Sequence, residues 1–250
     1  MHDSVDYYNR NALVYCKRTL TIDMHDLYKP FLRCLPKGAH ILDAGCGVGR
    51  DARHFLDLGY NVTAIDASQE MVSISSKLTK QRTFLIPFQD LSFENCFDGI
   101  WASASLLHVP RQEMSLVFEK FIAAMKDRGI WYLSFKVGNG ERIDKDGRFF
   151  NDYDEDAFQS FLSSYSQILS IDKISSTITD KDNCLPEKWL NIFLRVDKSK
   201  APLFWVGKGI SGQDYYDREV LITSRRSSRI SRRSLSRYYV KKYRRATTTR

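Results

Sequence analysis

A short acidic and glycine-rich stretch is the part of this chain best suited to hold an organic ligand. Asp43-x-Gly45-x-Gly47-x-Gly49 follows directly on the apolar run His40-Ile41-Leu42, and Asp66 stands at the end of the next apolar run, Asn61 to Asp66. Glycines that alternate after a strand remove side chains where a ligand must approach the backbone closely. Two familiar phosphate-binding turns do not fit. The dinucleotide fingerprint needs a small residue five places after its first glycine, and Arg50 stands there. No GxxxxGK[ST] occurs anywhere. A carboxylate leads the turn, so the ligand expected is not an anion seated on a helix terminus. Asp66 is placed to accept hydrogen bonds from ribose hydroxyls, as the acidic residue at the second strand does in dinucleotide folds.

The elements around these residues alternate in type. Arg50 to Leu58 carries Ala52, Phe55 and Leu56 at helical spacing and stops at Gly59. Ser68 is a helix N-cap for a segment running to about Leu78. Phe84 to Ile86 and Phe97 to Ala102 read as the third and fourth strands. Arg111 to Lys126 reads as a helix with Met114, Val117, Phe118, Phe121, Ile122 and Met125 on one face, broken by Gly129 before a fifth strand, Ile130 to Phe135. A helix is expected from Asp154 to about Tyr165, then strands over Ile168 to Ile178 and Trp189 to Val196. The alternation predicts βαβ units and a parallel sheet, and the short helix-free link before Trp189 predicts an antiparallel pair at its edge. The first glycine turn then lies at the carboxyl edge of the sheet, where ligands bind.

With these elements in place, the glycine turn and the correctly spaced Asp66 resemble the cofactor loop of class I S-adenosylmethionine (SAM)-dependent methyltransferases. The likeness runs over roughly residues 6 to 196. It includes Pro87-Phe88-Gln89-Asp90-Leu91 and the fourth strand with its loop, Phe97 to Pro110. Gly147-Arg148-Phe149-Phe150 and Trp189-Leu190-Asn191 resemble small bacterial enzymes of the tellurite-resistance and thiol methyltransferase branch. The resemblance implies an α/β, Rossmann-like fold: a mostly parallel seven-stranded sheet with an antiparallel edge strand and helices on both faces. It implies SAM as cofactor, bound by Asp43, Gly45, Cys46, Gly47, Gly49, Asp66, Ala67, Met71, Asp90, Leu91, Ala102 and Ser103. Met71 could equally pack in the core, and Asp90 could be a solvated loop residue. The N-terminal segment with Tyr8 and Tyr15 becomes a lid, with a helix packed on the sheet edge as the alternative; Arg148 and Phe149 close the opposite side or belong to a loop anchored by buried aromatics. His108 ends the loop that borders the transferred methyl and is the candidate general base; a capping role before Pro110 is the alternative.

The acceptor implied is a small molecule such as a thiol or a chalcogen oxyanion. Neither the Pro-Pro-aromatic motif of amino-methylating nucleic-acid enzymes nor the Pro-Cys pair of cytosine-C5 enzymes is present. An RNA or protein methyltransferase, and a non-catalytic SAM-binding module, are the competing readings. The charge is uneven: residues 1–196 hold 23 basic and 26 acidic residues, and 197–250 hold 15 and 4. The body therefore lacks a phosphate-neutralising surface. We expect a methyltransferase domain over 1–196 and a basic extension over 197–250. From Val220 on the extension has 11 basic residues and no acidic one, with Tyr238, Tyr239 and Tyr243 interleaved. A flexible arm touching nucleic acid or an anionic surface through 220–250, a tail without a role and a small helical appendage all remain open. No apolar run is long enough to span a membrane. The first residues show no signal-peptide pattern, and the five cysteines have no paired spacing. A reducing, cytoplasmic setting is expected, without metal, since the histidines lack ligand spacing.

Overall fold

The computed structural model describes residues 4–179 and 186–200. Cys184 and residues 201–250, which include the basic stretch, lie outside the described residues. The chain opens with helices α1 (Ser4–Thr19) and α2 (His25–Leu32), then alternates β1 (His40–Ala44), α3 (Arg50–Asp57), β2 (Asn61–Asp66), α4 (Gln69–Thr79), β3 (Thr83–Leu85), β4 (Phe97–Ala102), α5 (Arg111–Ala124) and β5 (Met125–Lys136). A hairpin, β6 (Gly140–Ile143) and β7 (Phe149–Asp152), precedes α6 (Glu155–Leu162), β8 (Leu169–Thr179) and β9 (Glu187–Val196). Seven strands form one sheet in the order β3-β2-β1-β4-β5-β9-β8. β1 to β5 run parallel, and β9 lies antiparallel between β5 and β8. The strand order reverses at β1 and β4, which opens a crevice at their carboxyl ends.

The pleat explains how the sheet is covered on both faces, because neighbouring side chains along a strand point in opposite directions. On one face Trp101 and Tyr132 stack at 4.0 Å between ring centroids and meet Tyr28 and Phe31 of α2 and Phe55 of α3. On the other, Trp131 packs 4.5 Å from Phe118 of α5, which reaches Phe161 of α6. Gly99 of β4 leaves room for α2: a Cβ there would stand 2.8 Å from the Phe31 ring.

The largest boundary difference from the sequence reading lies between α5 and β5. The fifth strand begins at Met125, not after Gly129, and α5 ends at Ala124. Met125 pairs with Phe97 at the foot of β4, and the register shifts before Gly99 pairs with Ile130. Arg128 takes up the irregularity with φ +61°, so Gly129 sits inside a bulged strand. The hairpin β6–β7 carries the aromatic motif. Asp144 closes its turn by accepting from the amides of Asp146 and Arg148, and Gly147 has φ +81°.

Candidate active site

Three glycines in left-handed backbone make the turn after β1, and each has a different job. Gly45 (φ +72°) presses on the loop after β4, where a Cβ would stand 2.5 Å from Ser105 Cβ. Gly49 (φ +86°) presses on α4, with a Cβ 2.5 Å from Ser75 Oγ. At Gly47 (φ +53°) a Cβ would meet only Tyr15, in ordinary contact at 3.8 Å. The amides of Gly45 and Cys46 both donate to the Ile65 carbonyl, which locks the turn to the end of β2. Gly45→Ala is therefore expected to cost about 3 kcal/mol or more through overlap and backbone strain, and Gly47→Ala about 1 kcal/mol through strain alone. Thermal melts of the two variants check this; equal losses would show that the turn is not pinned against Ser105.

Asp66 sits at the tip of β2. Its Oδ2 accepts from the Gly47 amide and its Oδ1 from the Ser68 amide, both at 2.8 Å. Burial raises its pKa, with the amides of Ser68, Gly47 and Ala67 pulling the other way. A carboxylate has about four lone-pair sites, so acceptor capacity remains for a ligand hydroxyl beyond these amides. Asp43 is 2% exposed and its Oδ2 has no hydrogen-bond partner. Burial, then the nearby Asp51, holds its pKa well above the carboxylate range. A ligand ammonium would satisfy that orphaned oxygen. An acceptor pair for a ribose, an orphaned carboxylate oxygen and open backbone at Gly47 together fit the amino and ribose groups of SAM.

α1 covers this edge. Tyr15 stands over Gly47, and Asn9 Oδ1 accepts from Ser68 Oγ at 2.7 Å. Met71, 1% exposed, packs with Ala12, Val48, Tyr8 and Tyr15, so it joins α4 to the covering helix as core. Cys46 is buried with Sγ 3.5 Å from Ser75 Oγ, and burial pushes its thiol up. Ala102 closes β4, next to Ser103 and to Ala104 (φ +49°), whose amide donates to Ser134 Oγ. Asp90 is exposed, and its amide donates to the Pro87 carbonyl. The Leu91 amide is spent on Phe88 and its carbonyl on Lys120.

The lid and base candidates converge. His108 Nδ1 lies 2.7 Å from the Phe149 carbonyl, and Nε2 lies 2.7 Å from Tyr8 Oη. Phe149 is also tied to α1, its amide donating to Ser4 Oγ. Arg148 is held by Asp144 at 2.7 Å and lies 4.7 Å from the Tyr7 ring. His108 therefore joins three segments: the loop after β4, α1 and the hairpin. Burial lowers its pKa to about 4; the Phe149 carbonyl opposes the shift, and Arg148 and Lys136 add to it against Asp144. The sign of the stability effect follows. The unfolded chain binds this proton near the ordinary value and the folded chain does not until about pH 4. Folding is thus most favoured above the ordinary value and weakens as pH falls toward the lower one. The loss is about 2 kcal/mol, after discounting for the partly accessible ring edge. Urea midpoints against pH should show a shallower slope in His108→Asn; an unchanged slope would exclude His108 as its source.

A second polar cluster escaped the sequence reading. Asp51, 6% exposed on α3, accepts from Arg50 Nε at 2.6 Å, Arg50 Nη2 at 3.0 Å, Trp101 Nε1 at 2.8 Å and the Tyr28 hydroxyl. Arg50 also donates to the Thr19 carbonyl at the end of α1. The Arg-Asp pair directly after the glycines was the available signal, but nothing local shows that Trp101 reaches it. A cavity of 250 Å³ lies beside Arg50, lined in part by Met24, Tyr28 and His54; none of the ligand-loop candidates borders it. Among the described residues no cluster of ligating side chains suits a metal ion, and no helix is long and apolar enough to cross a membrane.

Comparison with known proteins bears on the same residues. Residues 41–129 match the methyltransferase domain family. The Bacillus subtilis protein YqeM, whose own methyltransferase naming is provisional, is 30% identical over 142 residues, 52% of this chain and 57% of that protein. The chain thus spans little more than half of that relative, and 32% of the Synechocystis 2-methyl-6-phytyl-1,4-hydroquinone methyltransferase. Among solved structures, Burkholderia thailandensis 1,6-didemethyltoxoflavin-N1-methyltransferase, with 1,6-didemethyltoxoflavin and S-adenosylhomocysteine bound, superposes with TM-score 0.61 at 22% identity, covering 78% of this chain and 86% of that one. Haemophilus influenzae TehB superposes with TM-score 0.58 at 14% identity, covering 72% and 65%. At these identities the structures establish the fold.

Proposed function

We propose that this chain, which has the class I SAM-dependent methyltransferase fold and matches the methyltransferase domain family over residues 41–129, transfers a methyl group from SAM to a small-molecule acceptor. The observation that carries the reading is Asp66, which holds the Gly47 and Ser68 amides and keeps acceptor capacity beside the backbone of Gly47, over which only Tyr15 stands. Asp43 supports it with an orphaned oxygen for the amino group. SAM when bound supplies a methyl group on a cationic sulfonium with a neutral leaving group, so the protein's tasks are alignment and exclusion of water. α1 and the β6–β7 hairpin serve the second task. Tyr15 covers Gly47, and Tyr8, His108 and the Phe149 carbonyl close the side facing the hairpin. A cover of this kind favours a small acceptor over a polymer, in line with the net negative charge of residues 1–196.

Calorimetric titration of SAM and S-adenosylhomocysteine into the full chain tests the cofactor, and transfer of a labelled methyl group to small acceptors tests the reaction. Micromolar binding and labelled product are expected. A folded protein that binds neither ligand would overturn the reading, and binding without product on any acceptor would make the domain a SAM-binding module.

A further inference from the structure

His108 is the obvious proton acceptor on the loop after β4, but its own bonds argue against direct contact with an acceptor. A carbonyl can only accept, so the 2.7 Å contact with Phe149 places the ring proton on Nδ1. Nε2 is then a bare lone pair, and its 2.7 Å partner, Tyr8 Oη, must donate to it. Both ring nitrogens are thereby used. The ring is also shut in by Tyr8 at 5.4 Å and Phe150 at 5.0 Å between centroids. Tyr8 is differently placed. Its ring meets Tyr15 edge-on at 5.0 Å, and Tyr15 stands over Gly47, so Tyr8 lies along the ligand edge of the sheet. Its proton is committed to His108 and its oxygen accepts from the Arg148 guanidinium, which leaves one lone pair as an acceptor. The Arg148 guanidinium lies close enough to lower the Tyr8 pKa against the effect of burial.

We propose that the Tyr8 hydroxyl is the group that meets the methyl acceptor, that His108 is the positioning residue acting through it, and that the acceptor is a neutral molecule presenting an O–H or N–H. A thiolate or a chalcogen oxyanion would face the remaining lone pair of Tyr8 with no proton to share, and the Arg148 charge beside it is already met by Asp144 at 2.7 Å. This rests on the methyltransferase reading and narrows its acceptor class. The step balances. The acceptor atom bonds the methyl carbon while that carbon's bond to the cofactor sulfur breaks, its electron pair staying on sulfur. The acceptor's proton passes to Tyr8 Oη, and the Tyr8 proton passes to His108 Nε2. One positive charge is present before and after, and the Phe149 carbonyl holds the imidazolium through Nδ1–H until solvent takes the proton.

The test uses the full chain saturated with S-adenosylhomocysteine and two probes, 4-nitrophenol below its pKa and 4-nitrothiophenolate, with binding read by absorbance. The phenol is expected to bind the wild type more tightly than the thiolate does. Tyr8→Phe should weaken phenol binding about tenfold, the worth of one hydrogen bond, and leave thiolate binding unchanged. His108→Gln keeps an acceptor for the Tyr8 proton and should retain phenol binding, yet lose methyl transfer to the phenol; His108→Leu should lose both. Tighter thiolate binding, phenol binding unaffected by Tyr8→Phe, or no phenol binding at millimolar concentration would overturn the proposal. Failure of S-adenosylhomocysteine to bind the wild type, seen in the same titration, would instead overturn the methyltransferase reading.

Discussion

Asp51→Ala is expected to lower the unfolding free energy by about 3–5 kcal/mol, the usual result of removing one partner from a buried ion pair. The size follows from what the carboxylate holds. Its two oxygens take four donors: two from Arg50, one from Trp101 in the middle of the sheet and one from Tyr28 of α2. Without it an indole N–H and a phenol stay buried and unpaired, and the Arg50 cation keeps only the Thr19 carbonyl. Burial first, then Asp51, pushes the Tyr28 phenol far up, so it cannot ionise to help. One term works in the other direction: Asp43 loses its closest like charge. Asp51→Asn keeps the shape and one acceptor oxygen and should lose about half as much. Urea unfolding followed by circular dichroism reads both. A loss under about 1 kcal/mol for the alanine variant would mean that the cluster is solvated and not buried. Because Arg50 also grips the Thr19 carbonyl, the alanine variant should hold α1 more loosely and bind S-adenosylhomocysteine more weakly.

Asp66→Ala is expected to weaken S-adenosylhomocysteine binding about a hundredfold. Two hydrogen bonds to a charged acceptor contribute together about 3 kcal/mol, and each 1.4 kcal/mol is about tenfold in affinity. The same carboxylate anchors the amides of Gly47 and Ser68, so some of the loss is loop disorder. Melting the ligand-free variant separates the two. A loss of about 1–2 kcal/mol in stability belongs to the anchors, and an affinity loss beyond that belongs to the ligand. Unchanged affinity in calorimetry would remove Asp66 from the binding site.

Much of this was legible in the sequence, for identifiable physical reasons. Strands alternating with amphipathic helices announce a parallel sheet, and glycines flanked by Asp43 and Asp66 announce its ligand edge, because both signals are local. Ser68 was legible as a cap, and its Oγ accepts from the Met71 amide. What was not legible depends on distance along the chain. Tyr8 and His108 are 100 residues apart and Asp51 and Trp101 are 50 apart, and no periodicity links such partners. The β6–β7 hairpin hid behind its aromatics: the Asp144 to Gly147 turn is a fair hairpin signal, but Arg148-Phe149-Phe150 drew attention as a motif. Gly129 misled for a different reason. A glycine after a helix suggests a stop, whereas here the sheet claims the chain four residues earlier by pairing Met125 with Phe97.

The last described turn settles where the chain departs. Lys198 donates to the carbonyls of Ala123 and Met125 and to Asn95, and its backbone amide donates to Asp127. These groups surround the foot of β4, the edge of the sheet opposite Gly47 and Asp66. A six-residue strand is about 20 Å long, so Lys200 stands roughly that far from the ligand edge. For anyone attaching the domain to a bead, a sensor chip or a fusion partner, Lys200 is thus the favourable point of attachment: the tether pulls on the floor of the sheet, at the end away from Gly47 and Asp66.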